Sequence, residues 1–235
     1  MVVVIPAAGN GQRFRNVGYT VPKPFIPVLG KPMISHVIEM FMEPGIEIGV
    51  LVRQDALDYA EQLRVYGAYT RVVPRLTEGT ACTVLEAYDW INNDRELIIA
   101  NSDQVVDSGI QQMIWKARHS SYDGLILCFK SSDPKWSYVE LKDDLVQRVV
   151  EKEVISDIAT VGIYYFKRGS DFVKAAEQMI LANDRVKNEF YTAPTYNYMI
   201  KAGKKIGIQL IDESQMHGLG TPEDLDEYIK WKSEN

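Results

Sequence analysis

The sequence predicts a three-layer α/β fold built on a mainly parallel, mixed central sheet. Three observations lead there. Short β-branched runs alternate with amphipathic stretches through the first hundred residues, the alternation that builds parallel sheets through right-handed crossovers. The opening run Val2-Val3-Val4-Ile5 is apolar at every position, as a strand buried on both faces requires. In the second half, strand-like runs follow one another more closely, the pattern of antiparallel pairing. At 235 residues, with no Pro/Gly/Ser-rich linker, low-complexity segment or internal repeat, the chain is expected to form one domain spanning 1–235.

The elements follow in order. After the first strand comes a glycine-containing loop, then a helix whose first turn Pro32 suits and whose apolar stripe is Met33, Val37, Met40 and Phe41, ended by Pro44-Gly45. Residues 48–52 read as a strand, 55–63 as helical, 72–73 as a short strand, 83–91 as helical and 97–100 as a strand. Beyond these, 124–129, 138–141, 147–151 and 159–166 read as strands of a partly antiparallel region. Residues 172–180 form an amphipathic helix. Asn188-Glu189-Phe190-Tyr191 leads into another helix reaching 201, and 206–211 is a strand. Thr221-Pro222-Glu223-Asp224 opens the last helix with a cap, a first-turn proline and acidic residues near the positive dipole end.

Charge is unevenly placed. The chain carries net −6, yet Arg13, Arg15, Lys23 and Lys31 all precede the first acidic residue, Glu39. A basic loop in an acidic protein implies a locally held anion, not a nucleic-acid-binding face. Cys82 and Cys128 lack CxxC spacing, so neither a disulfide framework nor a thiolate metal site is expected. No apolar run approaches the ~18 residues of a membrane span, and the opening run is too short for a signal segment and lacks a preceding basic stretch. The expectation is a soluble cytoplasmic protein with no membrane partner.

The loop after the first strand is the centre of the argument. Gly9 and Gly11 lack the Cβ atoms that would keep a phosphate or a base edge from the main chain. Arg13 offers a planar fork for two phosphate oxygens, and Lys23 sits stiffened between Pro22 and Pro24. A dinucleotide fingerprint is excluded because Phe14 stands where its third glycine belongs, and a P-loop because Gly30-Lys31 is followed by Pro32. In a parallel sheet, this loop and Asn101-Ser102-Asp103 would leave neighbouring strand ends and face one crevice. Asp103 there suits a hard Mg²⁺ ion; the alternative is a turn or cap carboxylate. Gly79 allows close approach of a ligand, and the Thr80 hydroxyl either caps the following helix or bonds that ligand.

Three blocks, Pro6-Ala7-Ala8-Gly9-Asn10-Gly11-Gln12-Arg13-Phe14, Pro22-Lys23-Pro24 and Pro27-Val28-Leu29-Gly30-Lys31-Pro32-Met33-Ile34, together resemble the N-terminal signature of the sugar-phosphate nucleotidylyltransferases. The resemblance implies a Rossmann-like fold of the nucleotide-diphospho-sugar transferase type. Its implied reaction joins an NTP to a sugar 1-phosphate or related phosphomonoester, with Mg²⁺, releasing pyrophosphate. Residues up to about 120 would bind the nucleotide and 121–235 the acceptor. Arg13 and Lys23 would be catalytic, and Ala7, Ala8, Gly9, Gly11, Gly79 and Thr80 would bind the nucleotide. Asp103 would hold the metal, and Glu151, Lys152, Gly162 and Glu189 would bind the acceptor.

The chain departs from the family at one point. Many relatives have Asp-x-Gly-Thr before the last helix, whose Asp completes the metal site, whereas here Gly218-Leu219-Gly220-Thr221 puts Gly218 in that place. Either Asp103 and phosphates suffice or another carboxylate such as Asp212 substitutes; His217 suits a hard ion poorly. Two rivals stand beside this reading. A glycosyltransferase of similar fold commonly carries Asp-x-Asp, against which Ser102-Asp103-Gln104 argues. A non-catalytic sugar-nucleotide sensor would keep the loop without the chemistry.

Overall fold

The computed structural model describes residues 1–234. The first half supplies the strands Val2–Ala7 (β1), Glu47–Arg53 (β2), Tyr69–Val73 (β3) and Leu97–Ala100 (β4). All six residues of β1 are buried. Val3, Ile5 and Ala7 enter one apolar cluster while Val2 and Val4 enter the other, as a pleated strand between two helical layers must arrange them. Fully burying each of the larger side chains contributes about 1.5–3 kcal/mol. β1 lies parallel to both β2 and β4, and β2 parallel to β3.

Apart from the two-residue antiparallel pair Pro27–Val28 and Lys31–Pro32, the remaining strands are Gln104–Val106 (β5), Gly124–Lys130 (β6), Ser137–Lys142 (β7), Leu145–Glu151 (β8), Ile158–Phe166 (β9), Ile206–Leu210 (β10) and Met216–Gly218 (β11). The main sheet runs β8-β7-β9-β4-β1-β2-β3, with β6 also paired to β9, and β10 to β6. β9 runs antiparallel to β4, β6 and β7, whereas β10 is parallel to β6. The expected mixed sheet and the switch to antiparallel pairing are therefore both present.

The helices are Gln12–Asn16 (α1), Met33–Glu39 (α2), Thr80–Leu85 (α3), Ile110–Arg118 (α4), Gly169–Leu181 (α5), Thr195–Lys201 (α6) and Pro222–Glu234 (α7), with shorter turns between them. α2, α4 and α7 pack on one face of the sheet through Met33, Met113 and Leu225, and α3, α5 and α6 on the other through Val84, Phe172 and Tyr196. None of the helices among the described residues is long and apolar enough to cross a membrane.

Two expectations need correction, and one pairing was not expected. The helix expected at 55–63 is three short turns, Gln54–Ala56, Leu57–Ala60 and Glu61–Tyr66, of which only the middle one is α-helical. The helix expected at 83–91 begins earlier, at Thr80, and breaks after Leu85 before the turn Tyr88–Ile91. Arg71 donates to the Glu86 carbonyl at 2.8 Å, which gives that carbonyl a partner outside the helix at the break. The antiparallel pair β5/β11 was not anticipated, because three residues per strand carry no readable alternation. That pair brings 218–221 over the end of β4, where the Leu219 N–H donates to the Asp103 carbonyl at 2.8 Å.

Candidate active site

A cleft of about 510 Å³ opens at the C-terminal ends of β1 and β4, where ligands collect in open α/β sheets. On its β1 side Ala7 and Ala8 are buried and Gly9 is exposed, with no atom within 4 Å of a Cβ placed there. Gly11 has φ +60°, and its missing Cβ would lie 2.9 Å from the Lys23 Cβ; the glycine lets the Lys23 segment pack on the loop. The Gly11 carbonyl accepts from Phe14 and Arg15, starting α1, and buried Phe14 anchors the turn by an edge contact with Tyr19. Arg13 is thereby held outward along the cleft wall. The loop's other cations are engaged: Arg15 with Asp55, Lys23 with Asp103 and Lys31 with Glu39. Among the described residues Arg13 makes no hydrogen bond or ion pair.

Asp103 caps no helix. The N–H of Gly109 at the start of α4 is met by the Gln112 side chain at 3.1 Å, which leaves the Asp103 carboxylate to the cleft and to Lys23. Asp224, in the first turn of α7, lines the same cleft and pairs with Lys135 Nζ at 3.2 Å. A Cβ at Gly218 would come within 3.7 Å of Asp224 Cγ. Asp224 therefore stands beside the position from which the family's aspartate would project. Sequence reasoning treated it only as a helix-start charge; its separation by one turn from the Gly-Thr element was the signal available.

Asp212 does not fill that place. It accepts from the Ser214 N–H at 2.9 Å, capping the turn Glu213–Gln215, and does not line the cleft. His217 is likewise turned away, bonded to Asp107 at 2.8 Å and packed on Trp231.

Gly79 and Thr80 line the cleft, but their geometry has a structural cause. Gly79 has φ +127°, and a Cβ there would lie 2.4 Å from the Phe190 carbonyl oxygen, so the glycine lets a neighbouring loop approach. That loop is tied by Phe190 N–H to Glu78 O at 2.7 Å and Ala81 N–H to Phe190 O at 3.0 Å. The Thr80 hydroxyl caps nothing; it accepts from both the N–H and the hydroxyl of Thr192 at 3.1 Å.

On the far wall, Glu151 ends β8 and Lys152 follows with φ +57°, its N–H bonded to the Trp136 carbonyl at 3.1 Å. Their side chains are 9% and 23% exposed, with Lys152 Nζ 3.8 Å from a Glu151 oxygen. Burial pushes the Glu151 carboxyl up from its ordinary range, against the hydrogen bond donated by Ser137 and the Lys152 charge. Burial likewise pulls the Lys152 ammonium down, against the pull of Glu151 and Glu189. Lys152 donates to the Tyr191 hydroxyl, and Glu189 faces the same space. Tyr191, Trp136 and Lys135 were missed as site residues, since nothing local separates them from rim aromatics and surface charge. Gly162 lies at a break in the β9 register with φ +94° and faces Asn101 and Gln104.

Arg13, Lys23, Lys135 and Lys152 thus converge with Asp103, Asp224, Glu151 and Glu189 on one cleft. Such a site can hold a polyanion together with a hard cation. Among the described residues no group of three His, Cys, Asp or Glu side chains is placed to bind a metal. Two carboxylates fit Mg²⁺, which completes its shell with phosphates and water.

The fold and this cleft define a nucleotidyltransferase class of protein. A family model described as Nucleotidyl transferase matches residues 2–225, and the chain belongs to that family. It is 23% identical over 231 residues to the Bifunctional protein GlmU of Methanococcus maripaludis strain C5, covering 96% of this chain and 53% of that protein. It is 27% identical over 178 residues to the Mannose-1-phosphate guanylyltransferase catalytic subunit beta of Xenopus tropicalis, covering 71% of this chain and 49% of that one. The chain spans about half the length of these curated relatives. Among solved structures, a nucleoside-diphosphate-sugar pyrophosphorylase from Vibrio cholerae RC9 superposes with TM-score 0.82 at 25% identity, covering 98% of this chain and 100% of that chain. A UDP-glucose pyrophosphorylase complexed with UDP-glucose, at 17% identity and TM-score 0.79 over 99% of this chain and 98% of that one, shares the fold.

Proposed function

We propose that this chain joins an NTP to a sugar 1-phosphate or a related phosphomonoester, giving a nucleotide-diphosphate sugar and pyrophosphate. The observation that carries the reading is the unpaired Arg13 guanidinium beside the open Gly9 backbone, across one cleft from Asp103 and Lys152. An oxygen of the acceptor phosphate attacks the α-phosphorus, the bond from that phosphorus to the α–β bridging oxygen breaks, and pyrophosphate leaves. The nucleophile needs no general base, because a phosphomonoester with its second pKa near about 6 is mostly dianionic at neutral pH.

The chain's own groups align the two anions and offset their repulsion. Gly9 admits the phosphates to the main chain, Arg13 grips the triphosphate and the departing pyrophosphate, and Lys23 neutralises them. Lys152, held by Tyr191, receives the acceptor phosphate, while Glu151 accepts from hydroxyls of the acceptor. Asp103 and Asp224 would hold Mg²⁺, which when bound supplies positive charge at the phosphate oxygens. Lys23 and Lys135, which pair with these two carboxylates here, would then be free to turn to the phosphates.

The test is pyrophosphate release by purified protein with Mg²⁺, with five NTPs crossed against sugar 1-phosphates and non-sugar phosphomonoesters. Release that requires one NTP together with one acceptor is expected. Absence of both release and NTP binding refutes the reading.

A further inference from the structure

Gln104 Oε1 is a buried side-chain polar atom without a hydrogen-bond partner among the described residues, and its residue is only 8% exposed. Leaving a buried carbonyl unpaired is unfavourable, so its retention calls for a reason. The surroundings supply one. Gln104 lines the cleft, and its oxygen lies over Gly162, where β9 is bulged at φ +94°. A Cβ at position 162 would lie 2.7 Å from Gln104 Oε1 and 2.5 Å from Asn101 Nδ2. An acceptor and a donor thus converge over a Cα that must stay bare.

Both residues are anchored through their main chains. Gln104 is in register with Gly218 in the β5/β11 pair, and the Asn101 N–H donates to the Gly162 carbonyl at 2.9 Å. The backbones that carry the two amides are therefore set before a ligand arrives, which favours a recognition pair.

We propose that Gln104 is a specificity-determining residue: its Oε1 accepts a hydrogen bond from a hydroxyl of the acceptor lying over Gly162, while Asn101 donates to a neighbouring oxygen. This rests on the transferase reading above and deepens it. A polyhydroxylated acceptor satisfies the orphan carbonyl. A phosphorylated quaternary ammonium such as phosphocholine has no donor for it and leaves it unpaired and sealed from water.

The experiment compares wild type with Gln104→Leu, which removes the acceptor atom at similar size, and Gln104→Glu, which keeps it. Each is assayed with the sugar 1-phosphate that wild type uses best, with that compound's monodeoxy analogues, with phosphocholine and with varied NTP. Wild type is expected to penalise one deoxy analogue by ~10–100-fold in acceptor KM and to leave phosphocholine unused. Gln104→Leu is expected to raise the KM of the parent acceptor by a similar factor, with no further penalty for that analogue and the NTP KM within ~2-fold. Should Gln104→Leu not fold, Gln104→Glu is expected to retain the discrimination.

An unchanged acceptor KM in Gln104→Leu, discrimination that survives it or is lost in Gln104→Glu, or efficient use of phosphocholine by wild type overturns the assignment of Gln104 while leaving the transferase reading in place. A wild-type protein that releases no pyrophosphate with any pair overturns both.

Discussion

The Asp103 and Asp224 carboxylates face a common point above Gly220: a Cβ there would lie 3.3 Å from Asp103 Oδ2 and 3.8 Å from Asp224 Oδ2. Each is neutralised by a different lysine, Lys23 and Lys135. An ion entering between them would exchange two long-armed ammonium groups for one compact charge. Asp224→Asn keeps the shape of the side chain and removes that charge. Mn²⁺ binding followed by electron paramagnetic resonance, in the presence of NTP, is expected to weaken ~10-fold or more. Adding Gly218→Asp should restore it, because a Cβ at 218 meets only ordinary contacts at 3.7 Å. Unaltered Mn²⁺ affinity in Asp224→Asn would assign the ion to Asp103 and phosphates alone.

Arg13 and Lys23 should separate by stability as well as by rate. Arg13 is exposed and has no hydrogen bond or ion pair among the described residues, so Arg13→Ala should leave the melting temperature unchanged while lowering kcat/KM for NTP by ~10²–10³-fold. Lys23→Ala leaves Asp103 without its partner, so both turnover and melting temperature should fall. Pyrophosphate release and scanning fluorimetry on the two variants check this, and equal melting losses would contradict it.

The sheet was legible because β1 is apolar at every position and buried at every position, so periodicity and burial agree. The loop residues were legible because their chemistry is local: glycine, arginine and proline act within a few positions of one another. What could not be read depends on chain segments meeting from afar. Asp224 reaches the cleft only because β5/β11 folds the 218–221 segment over Asp103, and Tyr191 matters only because Lys152 is its partner. Gly79 lines the cleft, but a sequence shows only its missing Cβ and not the Phe190 backbone that occupies the space.

That close approach makes its own prediction. Gly79→Ala would combine a strained φ of +127° with a Cβ 2.4 Å from the Phe190 carbonyl. The loop carrying Glu189 and Tyr191 would have to lift. A stability loss of about 2–4 kcal/mol is expected, together with faster proteolysis near 185–192. Gly9→Ala, where nothing lies within 4 Å, should leave both unchanged and impair NTP binding instead. Similar melting temperatures for Gly79→Ala and wild type would show that the loop is not held by this approach.

Glu151 sets a pH dependence whose sign follows from its surroundings. Burial raises its pKa, against the Ser137 hydrogen bond and the Lys152 charge, which favour the ionised form. A carboxyl whose folded pKa lies above its unfolded value of about 4.3 contributes stability that is present below that value and lost as pH rises through the folded pKa. Once ionised, Glu151 is therefore a carboxylate that the ligand-free protein would be more stable without, at a position facing the cleft. Glu151→Gln does not titrate. Its melting temperature relative to wild type should rise as pH climbs from the unfolded value of about 4.3 through the raised folded pKa and then level off, while its KM for the acceptor increases. Thermal melts of both proteins across that range provide the check. A difference that stays flat with pH, or that moves toward wild type as pH rises, would mean that the Ser137 and Lys152 interactions outweigh burial and that Glu151 is held ionised at no cost.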